Sequence, residues 1–561
     1  MQPGNPLKLV LCWHMHQPEY RNLQTGEYQL PWTYLHVIKD YVDMVAHLEA
    51  VPEAKAVVNF APILLEQIED YTHQVKDYLH DRIAIRDHLL AALVSPTIPA
   101  DSEARLKLIR DCMRANRERQ ILRYSAFQKL IEMAEWLKNH HDGISYVNSQ
   151  FIIDILVWYH LAWMGETVKL TDARVKRLIA KSSDYTLHDR IELVEVIGDT
   201  LCNLINRYKA LVRKGRLELS VTPYAHPIMP LMLDIKTAHE AMPNAPLPEL
   251  EHYPGGEKRV RWHLHQGIET FERFFGFAPK GCWPSEGSIS KRTLEILSEA
   301  GFHWTASGGN VLRNSLNCSG LSTYDVHHPF QVQGTDLACF FRDDGLSDLI
   351  GFEYSKWHAD DAVTNLIGHL EGVAAQGENK IVSIIMDGEN AWEYFPANGY
   401  YFLSALYKRL SEHPYIQLTT FSECLNNKAE IKPLPKLVAG SWVYGTFSTW
   451  IGDRDKNRGW DMLGDVKWCF DKAVANGRLS PKQLKMAELQ LAVCEGSDWF
   501  WWFGDYNPSE AVSDFEKQFR LNLANLYYLL GSAPPAYLAI TFTQGSGLPA
   551  MGGTMRTGNL N

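Results

Sequence analysis

Several features are missing from this 561-residue chain, and each absence narrows what it can be. No stretch reaches the roughly 18 to 20 consecutive apolar residues that a membrane span requires, so no membrane partner is expected. The nine cysteines are scattered and include no Cys-x-x-Cys pair, which points to reduced, mostly buried thiols and not to a disulfide framework. A basic excess is also missing: 55 Lys and Arg face 66 Asp and Glu, for a net charge of −11. A nucleic-acid partner is therefore not expected, because such a protein needs a basic patch to displace counterions from phosphate. Internal repeats are absent. The opening "MQPGNPLKLVLCWHMHQP" carries an apolar run too short for a secretion signal, and it ends on histidines instead of a small-residue cleavage site. A cytoplasmic location is the expectation.

What the chain has in abundance is aromatic side chains, 17 Trp and 25 Tyr. Many fall in clusters such as "DWFWWFGDY" (Asp498 to Tyr506). Aromatic faces suit the apolar faces of sugar rings, while Tyr and Trp edges tolerate water.

Short β-rich apolar runs recur, each ending in a polar residue: "LKLVLCW" before His14, "AVVNF" at Asn59, "LELSVT" before His226, "GCWPS" before Glu286, "HWTAS" at Ser307, "ACFF" before Arg342, and "IVSIIM" before Asp387. "IQLTTF" is a weaker candidate. Near-continuous apolar runs indicate strands buried on both faces, as in a parallel sheet. Helical patterns alternate with them, for example "SKRTLEILSEAGF", and about seven such βα units would close into a barrel whose C-terminal strand ends carry the chemistry. Residues 66–210 break the rhythm and read as a helical insertion with solvated charged faces. Residues 1–425 are thus expected to form an α/β barrel with that insertion, residues 426–540 a C-terminal helical domain contributing to the active site, and residues 541–561 a flexible Gly, Ser and Thr-rich tail.

Two carboxylates stand at predicted strand ends: Glu286 in "GCWPSEGSIS" and Asp387 in "IIMDGEN". Glycosidic cleavage needs one protonated and one ionised carboxyl group in different surroundings. The alternative is that each residue caps a neighbouring helix. His14 and His16 in "HMHQP" alternate on an extended segment, so both rings point to one side. That spacing serves sugar-hydroxyl binding, a structural pair, or a zinc site, although no third ligand accompanies it in sequence. His226 follows a strand end between prolines that stiffen its loop. Trp450 in "STWIGDRDKNRGW" reads as a further aromatic wall. Glu389, two residues past Asp387, would point the opposite way in an extended segment, which favours Asp387 as the acid.

Together these segments resemble glycoside hydrolase family 57, which shows five ordered motifs. Here they are "HMHQP", "GRLELSVTPYAHP", "WPSE", "MDGENAWE" and "EGSDWFWWFGD", spread from near residue 8 to about 507. The resemblance implies an incomplete (β/α)7 barrel followed by a helical domain, and a retaining mechanism on α-glucans. Glu286 would be the nucleophile and Asp387 the general acid/base. His14, His16, His226 and Asp498 would hold sugar hydroxyls, and Trp283, Trp392, Trp450 and Trp499 would stack on rings or shield the site. No cofactor or metal is implied. The motifs look most like the α-amylase and amylopullulanase branch, with 4-α-glucanotransferase or branching enzyme as alternatives; internal glycogen or imported maltodextrin would be the substrate. A zinc-dependent mannosidase- or deacetylase-like enzyme and a non-catalytic glycogen-binding protein are the readings from other classes.

Overall fold

The computed structural model describes residues 6–321, 325–547 and 555–558. Its strands are β1 (Leu7–Met15), β2 (Ala56–Phe60), β3 (Leu217–Val221), β4 (Gly281–Cys282), β5 (Trp304–Ser307), β6 (Phe330–Val332), β7 (Ala338–Phe341), β8 (Ile381–Asp387), β9 (Ile416–Leu418) and β10 (Lys432–Leu434). They form one sheet in the order β10-β6-β7-β5-β4-β3-β2-β1-β8, with β9 also paired to β1. Only the β6–β7 pairing is antiparallel. In β1 and β8 the side chains are buried along nearly the whole strand, which is why those runs show no polar alternation.

The barrel expected from repeated βα units is the one the chain builds, from β1, β2, β3, β4, β5, β7 and β8. It is incomplete between β7 and β8. There a strand ladder is replaced by single contacts just past β7: the Asp343 N–H donates to the Ser383 carbonyl at 2.8 Å, and Arg342 Nε donates to the Ile385 carbonyl at 2.8 Å. The weak "IQLTTF" signal is a real strand, β9. The pair β6 and β10, extending the sheet beyond β7, was not expected from the sequence; three-residue strands are too short to display a period.

Parallel register sets one level of side chains at the strand ends. His14 on β1 lies opposite Asp387 on β8 and opposite Asn59 on β2; Asn59 in turn lies opposite Ser220 on β3. Strand ends pointing the same way are what a parallel barrel offers to chemistry.

Between β2 and β3 run helices from Pro62–Asp81 to Leu187–Arg213. The first starts ahead of residue 66 because Pro62 occupies its first turn, where a missing N–H costs nothing. After β10 come the helices Arg454–Ala475, Pro481–Cys494, Ser497–Trp502 and Ser509–Leu529. No helix among the described residues is long and apolar enough to cross a membrane. All nine cysteines are free thiols.

The described part of the stretch expected to be a flexible tail is tied down instead. Ser546 and Gly547 donate their N–H groups to the Asp505 and Asn507 carbonyls at 3.0 and 3.1 Å, and Met555 is buried. Small residues permit this docking: a Cβ on Gly547 would come within 1.9 Å of the Tyr506 carbonyl oxygen. The remainder of that stretch lies outside the described residues.

Candidate active site

A cleft of about 490 Å³ opens at the C-terminal strand ends, within the size range of small-ligand sites. His14, His16, His226, Glu286, Asp387 and Asp498 all line it. Five parts of the chain deliver them: β1 with the residue just past its end, the end of β8, the segments following β3 and β4, and the N-terminus of Ser497–Trp502.

Asp387 is the last residue of β8 and is half-buried. Gly388 follows, and a Cβ there would meet the Met15 sulfur at 2.2 Å, so any larger residue would force the buried Met15 side chain to move. Asn390 Nδ2 donates to Asp387 Oδ2 at 2.9 Å. Burial raises the Asp387 pKa to about 6 against the pull of Asn390 and the His16 and Arg342 charges, which suits a group that must carry a proton near neutrality.

Glu286 sits in a tight turn after β4 with φ 58° and ψ 22°, and Gly287 follows in the same left-handed region. His226 also has a positive φ, 61°. Such conformations cost energy in non-glycine residues and cluster where a side chain must be aimed. Trp442 holds Glu286 twice: its backbone N–H donates to the Glu286 carbonyl at 3.0 Å, and its indole Nε1 donates to Oε2 at 3.0 Å. The Ser497 hydroxyl lies 3.4 Å from Oε1. Burial, then the charges of Asp498 and Asp387, push the Glu286 pKa well above the usual carboxylate range, while Trp442 and Ser497 pull it down. Crowded buried carboxyls cannot all ionise, so the set shares protons. Within it, Glu286 has the better donors for an anion.

The histidines form a stack. His16 and His226 rings are 3.8 Å apart and 16° from parallel, and His14 Nε2 faces His226 Nε2 at 3.2 Å. Burial lowers His14 to about 3 and His226 well below the usual imidazole value, with the neighbouring rings adding to the effect. His14 Nδ1 lies 2.7 Å from Asn59 Oδ1, and His226 Nδ1 lies 2.8 Å from Ser497 Oγ. His16 Nε2 is 2.8 Å from Asp498 Oδ1. Among the described residues, His16, His226 and Asp498 are the group able to hold a cation, their ligand atoms lying within 4.8 Å of one another. His14, expected beside His16 as a ligand, is not in that group; His226 and Asp498 are, and Asp498, almost 500 residues from His16, already pairs with it.

Asp498 and Ser497 are anchored from below. Glu495 is fully buried and accepts from Arg259 Nη2 at 2.8 Å and the Tyr253 hydroxyl at 2.6 Å, with His263 Nε2 at 2.8 Å. Burial alone would raise its pKa, but the Arg259 charge and His263 hold it near 2. A paired buried charge of this kind fixes the helix end that carries the motif.

Four tryptophans expected on the site are not on it. Trp283, Trp392, Trp450 and Trp499 are each at most 1% exposed and lie one layer behind the cleft wall. Trp392 donates to the Gly388 carbonyl at 2.9 Å and so props the Asp387 loop. Trp283 packs edge-on against Trp442 at 5.2 Å, and Trp450 backs Trp501 at 5.9 Å. The cleft-lining tryptophans are Trp32, Trp163, Trp442, Trp501 and Trp502. Helical geometry separates the motif's aromatics: on Ser497–Trp502, positions 498, 501 and 502 share a face, whereas 499 points to the core. Trp442 in "GSWVYG" carried no comparable signal.

Two further expectations change. Glu389 also lines the cleft, because β8 ends at Asp387 and the chain no longer alternates; its Oε1 accepts from the His16 N–H and Gln17 Nε2, both at 3.3 Å. The helical insertion is not merely solvated, since Arg114 and Trp163 reach the cleft. Arg114 pairs with Asp514 at 2.8 Å and Glu510 at 3.1 Å, joining the insertion to Ser509–Leu529.

Two carboxyl groups, a histidine stack and aromatic walls thus meet at the strand ends of a parallel barrel. Residues 10–436 match glycosyl hydrolase family 57, and the chain belongs to that family. It is 22% identical over 241 residues to an alpha-amylase from Pyrococcus abyssi, a match covering 42% of this chain and 31% of that protein. The chain therefore spans about a third of this curated relative. A branching enzyme of Pyrococcus horikoshii shares the fold at a TM-score of 0.57 and 16% identity, over 95% of this chain and 93% of that one. The alpha-amylase AmyC of Thermotoga maritima does so at a TM-score of 0.55 and 14% identity, over 94% of each chain.

Proposed function

We propose that the chain is a retaining glycoside hydrolase of the amylase and amylopullulanase type that cleaves α-glucosidic bonds in glucans. The observation that carries this reading is the placing of Glu286 and Asp387 on one cleft, where burial raises both carboxyl groups and Glu286 alone of the two accepts from an indole N–H that favours its anion. Ionised Glu286, held by the Trp442 indole, attacks the anomeric carbon. The bond to the departing oxygen breaks as Asp387 gives that oxygen its proton. Asp387, now a carboxylate, takes a proton from the incoming hydroxyl, whose oxygen displaces Glu286 and restores the original configuration. His14, His16, His226 and Asp498 present hydrogen-bonding groups to sugar hydroxyls. Partly exposed Trp442, Trp501 and Trp502 give ring-sized apolar faces.

Whether water or a second sugar takes the glucosyl group is decided by what the cleft admits after the first step. The branching enzyme and the amylase that share the fold stand on the two sides of that choice. The test is incubation with maltoheptaose and with pullulan, reading product sizes, the anomer first released, and new reducing ends. Hydrolysis with retention gives α-anomers and one new reducing end per bond cut. Longer products without new reducing ends would assign a transferase, and inversion would remove Glu286 from the nucleophile role.

A further inference from the structure

Residues 555–558 lie against the cleft from the far end of the sequence. Met555 and Arg556 line the same space as Glu286 and Asp387. The Arg556 guanidinium sits over the rings of Trp501 and Tyr506 at 5.8 and 5.5 Å, and its Nη2 donates to Asn507 Oδ1 at 2.8 Å. Gly558 pins the strap on the other side. Its N–H donates to Asp348 Oδ2 at 2.9 Å, and its carbonyl accepts from Asn310 Nδ2 at 2.6 Å and from the Tyr444 N–H at 3.1 Å. A Cβ on Gly558 would come within 2.7 Å of Asp344 Cγ, so only glycine fits there. Asp344 and Asp348 are the two carboxylates that hold Arg342, which itself lines the cleft and lies over Trp442 at 5.7 Å. The strap therefore bridges the aromatic wall and the open seam between β7 and β8.

We propose that Met555 and Arg556 are specificity-determining residues, closing the cleft at Trp501 and thereby setting the length of glucan chain it accepts. The proposal rests on the glucan reading above. A cation over an indole face occupies the surface on which an additional glucosyl ring would stack. With Arg556 in place, that face of Trp501 is covered. Without it, one more ring position becomes available, so a long chain gains and a short one does not.

The test compares maltotriose with maltoheptaose. Their kcat/KM values are measured in the full chain and in R556A, W501A and R556A/W501A. Their Kd values are measured by calorimetry in the E286Q background. Removing Arg556 should raise the heptaose-to-triose ratio of kcat/KM about fivefold and lower that of Kd by the same factor, the size of an exposed cation–aromatic contact. The gain should vanish when Trp501 is alanine as well. G558A, which displaces the strap without touching Arg556, should shift the ratio the same way. Ratios unchanged in both R556A and G558A overturn the proposal, as does a gain that survives loss of Trp501. If the unmodified chain neither binds nor turns over either sugar, the glucan reading fails and takes this one with it. Binding and turnover with unmoved ratios sink the strap alone.

Discussion

The floor of the cleft and its aromatic wall are built by different means. On the floor, β1 and β8 carry His14 and Asp387 at matched register on hydrogen-bonded neighbouring strands. The wall is assembled from a loop tryptophan, a six-residue helix and residues 555–558, contributed by segments remote from one another in sequence. Strands in register fix where a charge or proton sits. Loops and a helix face fix what may lie beside it. The contrast teaches that chemistry in this fold should be sensitive to single atoms on the floor, and selectivity to surface area on the wall.

The largest effects should separate the two floor carboxylates from each other. E286Q should lower kcat by about four orders of magnitude or more, as expected for a nucleophile, on every substrate. D387N should cost about 10²- to 10⁴-fold on maltoheptaose but far less on α-glucosyl fluoride, whose leaving group needs no proton. If the two variants respond alike to the fluoride, the division of roles between Glu286 and Asp387 is wrong.

W442F tests the point where wall and floor meet. It removes a charge-assisted donor of about 1.5 to 3 kcal/mol from Glu286, so kcat should fall about ten- to a hundredfold. The donor favours the ionised carboxyl; without it the Glu286 pKa rises further, and the acid limb of the pH profile moves to higher pH. An acid limb that stays in place while kcat falls would make Trp442 a wall residue only.

The two faces of Ser497–Trp502 give the next contrast. W502A should raise KM severalfold, by about 1 kcal/mol of lost contact, with little loss of stability. W499A should cost about 3 to 5 kcal/mol of stability, as buried Trp truncations do, with KM per folded molecule near the parent value. Thermal melts and KM measured side by side decide this, and the same outcome for both variants would undo the assignment of faces.

The smallest effect concerns the energetic cost of holding Asp387. Its pKa is about 6 in the fold against an ordinary 3.8. The fold thus favours the protonated form, a contribution complete below pH 3.8 and lost as pH rises through 6. D387N should therefore raise Tm by about 1 to 3 °C at pH 8 and leave it unchanged near pH 4. In the parent enzyme, activity should decline as pH climbs past about 6, because the acid is then increasingly ionised.

How much of this was legible in the chain follows from the range of the interactions involved. Apolar runs ending in His14 and Asp387 announce strand ends because burial on both faces is written into consecutive residues. The grouping of Asp498 with Trp501 and Trp502 follows from the 3.6-residue period only once Ser497–Trp502 is known to be a helix; the sequence alone pointed to Trp499, the neighbour of Asp498. Trp283, Trp392, Trp450 and Trp499 show the limit: a tryptophan reads the same whether it meets a ligand or supports the residue that does. Composition made residues 541–561 look loose, yet small residues also dock closely, as Gly547 and Gly558 do.

By itself the sequence determined the barrel of buried strands, the strand-end carboxylates and the family to which the chain belongs, because each is encoded in local pattern. Tertiary structure alone decided which aromatics face the cleft, that Asp498 closes on His16, that Trp442 holds Glu286, and that Arg556 covers Trp501. Those contacts join residues about 50 to nearly 500 positions apart, and their existence depends on how helices and loops pack around the open seam, a property that no short stretch of the chain contains.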